Sequence, residues 1–245
     1  MKKKVLAVIL TAVCTMGLMA GCGNSNVGNT NTQKNASSAE DGYKIGISQF
    51  AEHGSLDNCR EGFLEGLKEE GIETEIHWIG NQSYSDCIAC GKCRETGECV
   101  FKDGVNILVN KAKDCDGFIF GTPVYYAHPS GRILDVLNRA FYSGSKYFAH
   151  KPGAAIASAR RAGTIASIDV LNKYFTINQM PIVSSTYWNE IHGNTPQEAL
   201  QDEEGMQTMY NLGKNMAWLL KCIEAGKEKG IQVPVNEKKH TNFIR

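Results

Sequence analysis

The stretch Asp116–Gly131, DGFIFGTPVYYAHPSG, limits what this chain can fold into more than any other part of it. Phe118, Ile119 and Phe120 form an uninterrupted apolar run, the pattern of a parallel strand covered on both faces. Asp114-Cys-Asp-Gly reads as the turn before it, and Gly121-Thr-Pro is expected to end it. Pro123 has no N–H to give a ladder and biases Thr122 away from helix, so the chain should leave the sheet at the carboxyl end of the strand. Open α/β sheets bind ligands at that end. Tyr125 and Tyr126 then offer two flat rings, either to a ligand or to loop packing. Ser130 is expected to cap the following helix, with Ile133, Leu134, Leu137 and Phe141 on its inner face.

The start of the chain reads as an address. Lys2, Lys3 and Lys4 precede an apolar run from Val5 to Leu18, and small residues lead to Cys22. Leu18-Met-Ala-Gly-Cys22 resembles a bacterial lipobox, which implies cleavage after residue 21 and lipid on the Cys22 thiol. An uncleaved anchor or a simple secretory peptide is the alternative. Residues 22–42, rich in Asn, Ser, Thr and Gly, have little to bury and read as a disordered tether. With 26 basic and 26 acidic side chains, no charge excess points to nucleic acid.

Beyond the tether, strand and helix patterns alternate. Tyr43–Ser48 reads as a strand, Gly54–Glu70 as a helix with Leu56, Phe63, Leu64 and Leu67 inward, and Glu73–Ile79 as a second strand. Asp103–Asp114 reads as a helix capped by Asp103, with Val105, Leu108, Val109 and Ala112 in the core. Small apolar residues from Ala154 to Ser158 suit a strand at the centre of a sheet. Ile165–Asn178 is expected to be helical, Ile182–Tyr187 to be the fifth strand, and Trp188–Gly193 a loop at the ligand edge. There Trp188 and His192 either shape a substrate side or pack. Gln201–Glu224 reads as a long closing helix with Met209, Leu212, Met216, Leu219 and Leu220 inward, followed by a polar tail over 232–245.

Nine cysteines in an exported chain would ordinarily suggest disulfides. Their distribution argues otherwise. Cys14 lies in the leader, Cys22 is the expected lipid site, and Cys59, Cys115 and Cys222 fall at positions read as buried free thiols. The remaining four form Cys87-x-x-Cys90-x-x-Cys93-x5-Cys99, with Gly91 and Gly97 relaxing the backbone between them. Thiols at this spacing on a compact loop can converge on one small cluster. Zinc, disulfides or empty cysteines are the alternatives, although structural zinc sites are usually built from two separated pairs.

Three motifs in order, DCIACGKCRETGEC, GTPVYYAHPSGRILDVLNR and KPGAAIASARRAG, resemble the NAD(P)H-dependent FMN reductase family of the flavodoxin-like superfamily, in particular its iron-sulfur flavoprotein branch. The resemblance runs over about residues 73–231. It implies an α/β fold over 43–231, a doubly wound five-stranded parallel sheet of order 2-1-3-4-5 in three α/β/α layers. It also implies FMN as cofactor and NAD(P)H as co-substrate, a small-molecule electron acceptor, and a homodimer or higher oligomer. The flavin ring would meet Thr122, Pro123, Val124, Tyr125 and Tyr126 from one loop and Ser158, Ala159, Arg160 and Arg161 from another. Either arginine would face reduced flavin or a nicotinamide phosphate, the competing reading being two solvated surface cations. Cys87, Cys90, Cys93 and Cys99 would hold a 4Fe-4S cluster. No dedicated acid-base residue is called for, because the flavin carries the chemistry.

The first 72 residues carry a different resemblance. The leader, the tether and KIGISQFAEHGSLDNCREGFLEGLKEEGI are similar to the beginning of a solute-binding lipoprotein of ABC transporters. The chain therefore reads as a fusion in which 43–72 is a substituted first β-α unit. In the reductase family the first loop, of the form Ser-x-Arg-x-x-Gly/Ser-Asn-Thr, wraps the flavin phosphate. Here Ser48-Gln-Phe-Ala-Glu-His-Gly-Ser55 stands in its place. Ser48, Gly54 and Ser55 can still donate to a phosphate, while Glu52 repels it and no arginine is present. The expected function is flavin-dependent oxidoreduction, with an iron-sulfur flavoprotein electron carrier as its variant. The rivals are a non-enzymatic solute-binding lipoprotein and a cofactor-free fusion. The roughly 200 residues after the leader supply one α/β lobe where a binding protein of that kind needs two. The expected location is the extracytoplasmic face of a membrane, or the cytoplasm if the leader does not function.

Overall fold

The computed structural model describes residues 43–49 and 54–241, with the side chains of 48, 49, 54–56, 58 and 59 outside the described set. The expectations for the leader, the tether, Cys22, Glu52 and the side chains of Ser48, Ser55, Leu56 and Cys59 lie outside what is described.

The elements follow as β1 Lys44–Gln49, α1 Gly54–Glu69, β2 Glu73–Trp78, α2 Lys92–Thr96, α3 Gly104–Lys111, β3 Gly117–Tyr125, β4 His128–Pro129, α4 Gly131–Phe148, β5 Gly153–Ala159, α5 Thr164–Ile177, β6 Glu190–His192, α6 Pro196–Ala199 and α7 Glu203–Glu228. The sheet order is β2-β1-β3-β5-β6, and β1, β2, β3, β5 and β6 run parallel. This is the expected doubly wound order with one addition, the two-residue β4, which pairs antiparallel with the end of β3.

Strand alternation sorts the core into two layers. Ile119 of β3 and Ala154 and Ile156 of β5 face one side, against Phe63 and Leu67 of α1 and Met209, Leu212, Met216 and Leu220 of α7. Phe118, Phe120, Ala155 and Ala157 face the other, against Ile133 and Leu137 of α4 and Ile168, Leu171 and Phe175 of α5. Phe120 stacks on Phe175 at 5.6 Å between ring centroids, and Phe118 meets Phe148 at 4.7 Å. α1 and α7 touch backbone to backbone, since a Cβ on Gly213 would run into the Phe63 carbonyl oxygen. A third cluster joins Ile79, Tyr84, Val105, Val109, Val136 and Ala140 beneath the segment that carries the cysteines.

Several expectations need correction. β3 does not stop at Gly121. It continues through Pro123 to Tyr125, because β1 ends at Gln49 opposite Gly121 and little ladder remains for the proline to interrupt. Ser130 stands at the N-cap of α4 without a side-chain cap bond. Thr122 does the local work instead: its Oγ1 accepts from the Ser130 N–H at 3.1 Å and donates to the Pro123 carbonyl at 2.9 Å. The last strand is Glu190–His192, where Ile191 is fully buried, whereas Ile182 makes only an isolated bridge to Gly153. After Val183 the run Ser184-Ser-Thr has no apolar side chain to bury. Cys115 is buried as expected, but Cys222 is exposed on α7.

Glu75 on β2 is held by Lys44 at 2.7 Å and Lys111 at 2.5 Å. Hydrogen bonds from Lys111 and then Lys44 lower its pKa from 4.5 to about 2. A carboxyl depressed on folding stabilises the fold above its unfolded pKa and loses that contribution as pH falls through the folded value. Solvent around these half-buried groups keeps the contribution to about 1 kcal/mol. Glu75→Gln should therefore lower stability by about that amount at pH 7 in urea melts, and the difference from wild type should shrink as pH falls from 4.5 towards 2. Thr122 is fully buried, so Thr122→Val should leave the Ser130 amide without an acceptor. The cost should be about 1–3 kcal/mol in the same assay, with Thr122→Ser recovering most of it.

Candidate functional site

Two loops meet at the carboxyl edge of the sheet. Thr122 pairs with Ala157 and Pro123 with Ser158, so the ends of β3 and β5 lie side by side. Thr122, Pro123 and Ser158 are buried, Val124 and Ala159 are partly covered, and Arg160 and Arg161 are exposed. Beyond them Tyr125 is half exposed, and Tyr126, with φ 61°, projects fully into solvent. The left-handed backbone at Tyr126 closes the turn into β4. Gly163, with φ 95°, begins α5 so close to Val124 that a Cβ there would lie 2.8 Å from its Cγ1. The two loops are thus in contact, and together they carry two exposed aromatic rings and two exposed cations. Ser48 pairs with Phe120 and Gly54 begins α1, both at the same edge, while residues 50–53 between them lie outside the described residues.

The four clustered cysteines line a second feature, a cavity of about 420 Å³. Its walls are the loop from Asp86 to Arg94, residues Cys99–Phe101, and Asn138, Arg139, Tyr142 and Ser143 of α4. Ala89, Gly91 and Gly97 all have positive φ, which folds the loop around the one-turn helix α2. The Gly97 N–H donates to the Cys93 carbonyl at 2.9 Å and closes that turn. At each end of the motif a polar side chain holds the backbone. The Cys87 N–H donates to Asp86 Oδ1 at 2.6 Å, and Asn138 donates to the same oxygen at 2.9 Å. Asn138 and the Cys87 amide hold the Asp86 carboxyl below its usual range. Tyr174 on α5 donates to Asn138 Oδ1 at 2.6 Å, and burial pushes its phenol up to about 12, so it stays a donor. Asn106 brackets Cys99, accepting from its N–H at 2.9 Å and donating to its carbonyl at 3.0 Å.

All four thiols are free, and Cys87, Cys93 and Cys99 are partly covered while Cys90 is exposed. Among the described residues no three His, Cys, Asp or Glu side chains are grouped as a single ion would require. A tetrahedral zinc would need its thiolates within about 2.3 Å of one point. Four sulfurs edge one cavity, and thiolates are the donors that iron-sulfur clusters use.

Sequence reasoning identified the cysteines but missed what supports them. Arg139 is 1 % exposed, and it donates to Cys99 Sγ and to Asp103. The signal was available: an arginine three residues after Val136 and four before Ser143 sits on the inward side of a helix. Trp188 and His192 edge a separate cavity of about 240 Å³ with Glu190, Asp202 and Glu204. The His192 N–H donates to Asp202 Oδ2 at 2.7 Å, which ties β6 to the start of α7.

Comparison with known proteins now bears on this geometry. The family described as NADPH-dependent FMN reductase matches residues 52–195. An iron-sulfur flavoprotein of Methanocaldococcus jannaschii is 31% identical over 169 residues, covering 66% of this chain and 88% of that one. A tyrosine-binding protein of Clostridioides difficile is 32% identical over 71 residues, 29% of this chain and 21% of that one. Among solved structures, a WrbA-like flavodoxin from Agrobacterium tumefaciens superposes with a TM-score of 0.53 at 15% identity, over 74% of this chain and 98% of that one. No described helix is long and apolar enough to cross a membrane. With three cysteine-spaced thiols and a fourth beside them, a flavodoxin-like sheet and a family match over more than half its length, the chain belongs to the NADPH-dependent FMN reductase family and is a flavin-dependent oxidoreductase.

Proposed function

We propose that this oxidoreductase takes electrons from NAD(P)H at an FMN seated on the carboxyl edge of the sheet and passes them to a small-molecule acceptor, with the cysteine cavity holding a 4Fe-4S cluster as relay. The observation that carries this reading is the register of Pro123 against Ser158, which sets the two loops side by side beneath Tyr125 and Tyr126. Bound FMN supplies the hydride and single-electron chemistry. The protein binds and orients it. Pro123 and Val124 would lie beneath the ring, Tyr125 and Tyr126 would offer it their faces, and Ser158 and Ala159 would border its polar edge. Thr122 acts from within, because its hydroxyl is already engaged by Ser130 and Pro123. Arg160 and Arg161, exposed at the rim, provide guanidinium donors for a nicotinamide phosphate or for negative charge on the reduced ring. Ser48, Gly54 and Ser55 are assigned to the flavin phosphate.

Cys87, Cys90, Cys93 and Cys99 supply four thiolate donors around one cavity. The name of the Methanocaldococcus relative supports the same assignment. From Gly131 at the start of α4 to Arg139 at the cavity the helix rises about 12 Å, so relay and flavin site share one rigid element. The electron-carrier variant differs only in where the electrons end. A solute-binding role is less well supported, since one α/β sheet is described and the match to the tyrosine-binding protein covers 21% of that chain. We also assign a homodimer or higher oligomer, with the exposed rings at the flavin edge near its interface, and a lipid anchor at Cys22 on the extracytoplasmic face of a membrane.

Titrating flavin with purified full-length protein should quench flavin fluorescence at micromolar concentrations or below. Tyr126→Ala should weaken binding roughly tenfold through loss of ring contact. No binding at micromolar flavin would overturn the assignment of Ser48, Gly54 and Ser55 to phosphate. For the anchor, wild-type protein should sediment with membranes and Cys22→Ala should not; soluble protein in both cases would defeat it.

A further inference from the structure

The cysteine loop packs on α4 through one buried cation. Arg139 Nε donates to Cys99 Sγ at 3.1 Å. Its two terminal nitrogens fork onto Asp103, Nη1 to Oδ2 and Nη2 to Oδ1, each at 2.8 Å. Nη1 also reaches the Ser85 carbonyl at 3.2 Å, and the guanidinium carbon lies 4.7 Å from the centre of the Phe101 ring. A buried guanidinium needs a carboxylate partner, and Asp103 already provides one. That requirement leaves the Nε donor unexplained. It is aimed at a sulfur that edges the cavity, on the residue whose backbone Asn106 fixes from both sides.

We propose that Arg139 is the positioning residue of the cysteine cage, holding Cys99 Sγ at the cavity wall and raising the reduction potential of the cluster bound there. The proposal rests on the reading that Cys87, Cys90, Cys93 and Cys99 hold a 4Fe-4S cluster. Hydrogen bonds to the sulfurs and nearby net charge both set such potentials. Reduction adds one electron's charge to the cluster, and an N–H donor with a positive charge behind it favours that state. Asp103 opposes this effect in part, because its carboxylate neutralises the guanidinium. The two residues should therefore act with opposite sign. Removing the arginine makes reduction harder, while removing the charge on the aspartate makes it easier. Asp103 also caps α3, accepting from the Val105 N–H at 3.1 Å, and an asparagine keeps that cap.

The test is anaerobic reconstitution of full-length wild type, Arg139→Gln, Arg139→Lys and Asp103→Asn with iron and sulfide. Iron and acid-labile sulfide are then assayed, and the midpoint potential is read by redox titration followed by electron paramagnetic resonance. Arg139→Gln should shift the midpoint to more negative values, Asp103→Asn to more positive values, and Arg139→Lys should fall between Arg139→Gln and wild type. Equal midpoints in all loaded proteins, or shifts of one sign for Arg139→Gln and Asp103→Asn, would overturn the role of Arg139 while leaving the cluster in place. A wild type that takes up no iron or sulfide would overturn the cluster, and this proposal with it. If Arg139→Gln fails to fold by circular dichroism, Asp103→Asn decides: a raised midpoint supports the proposal and an unchanged one rejects it.

Discussion

The pairing of β3 with β5 is the interaction on which the rest of the structure depends. Six residue pairs, from Phe118 opposite Gly153 to Pro123 opposite Ser158, align the two central strands. Small side chains on β5 make room for large ones elsewhere. Ala155 and Ala157 lie beneath the Phe118 and Phe120 layer, and a Cβ on Gly153 would meet the Phe175 ring at 2.8 Å. Interiors packed to crystal-like density tolerate no such addition without displacement. A one-residue slip would turn Ile119 and Ile156 toward the wrong layer and part the two loops at the sheet edge. The edge proposed for the flavin is thus a consequence of core packing carried to the ends of the strands.

The centre of the fold was legible because its physics is local and periodic. Phe118–Phe120, Ala154–Ser158 and the inner face of α4 each announce their burial in a few residues, and the structure places each in the core. The alternating elements implied a parallel sheet, and its strand order came with the family resemblance. The four cysteines were legible as a group because their spacing is itself the signal, and they do share one cavity. Boundaries were less legible. Pro123 looked like a stop, yet it sits where its strand has already lost one neighbour. The last strand was placed at Ile182–Tyr187 on its composition, whereas Ile191 supplies the buried side chain that binds the strand to the sheet.

What stayed hidden were hydrogen bonds between residues far apart in the chain. Arg139 and Asp103 are separated by 36 positions, Asn138 and Asp86 by 52. The inward position of Arg139 is readable from its helix, but the identity of its partner and that of Asn138 are not, since neither pair lies within one element. Thr122 lies in the loop expected to meet a ligand, and its hydroxyl is held by the amide eight residues on. Polar groups near a site can serve its shape without touching what binds there, and only the partners distinguish the two cases.

α4 joins the two halves of the proposed chemistry. Its first turn follows the aromatic hairpin, where Ser130 is fixed by Thr122, and Arg132 reaches the Gly80 carbonyl at 2.7 Å at the start of the cysteine segment. Two turns later Asn138 and Arg139 fasten the two ends of the cysteine motif through Asp86 and Cys99. The contacts of Arg132, Asn138 and Arg139 are made by side chains on the same helix, whose inward residues Ile133, Val136, Leu137 and Ala140 are all buried. A helix held this firmly cannot tilt toward one site without moving the other. The separation between the hairpin and the cysteine cavity is therefore a property of the helix.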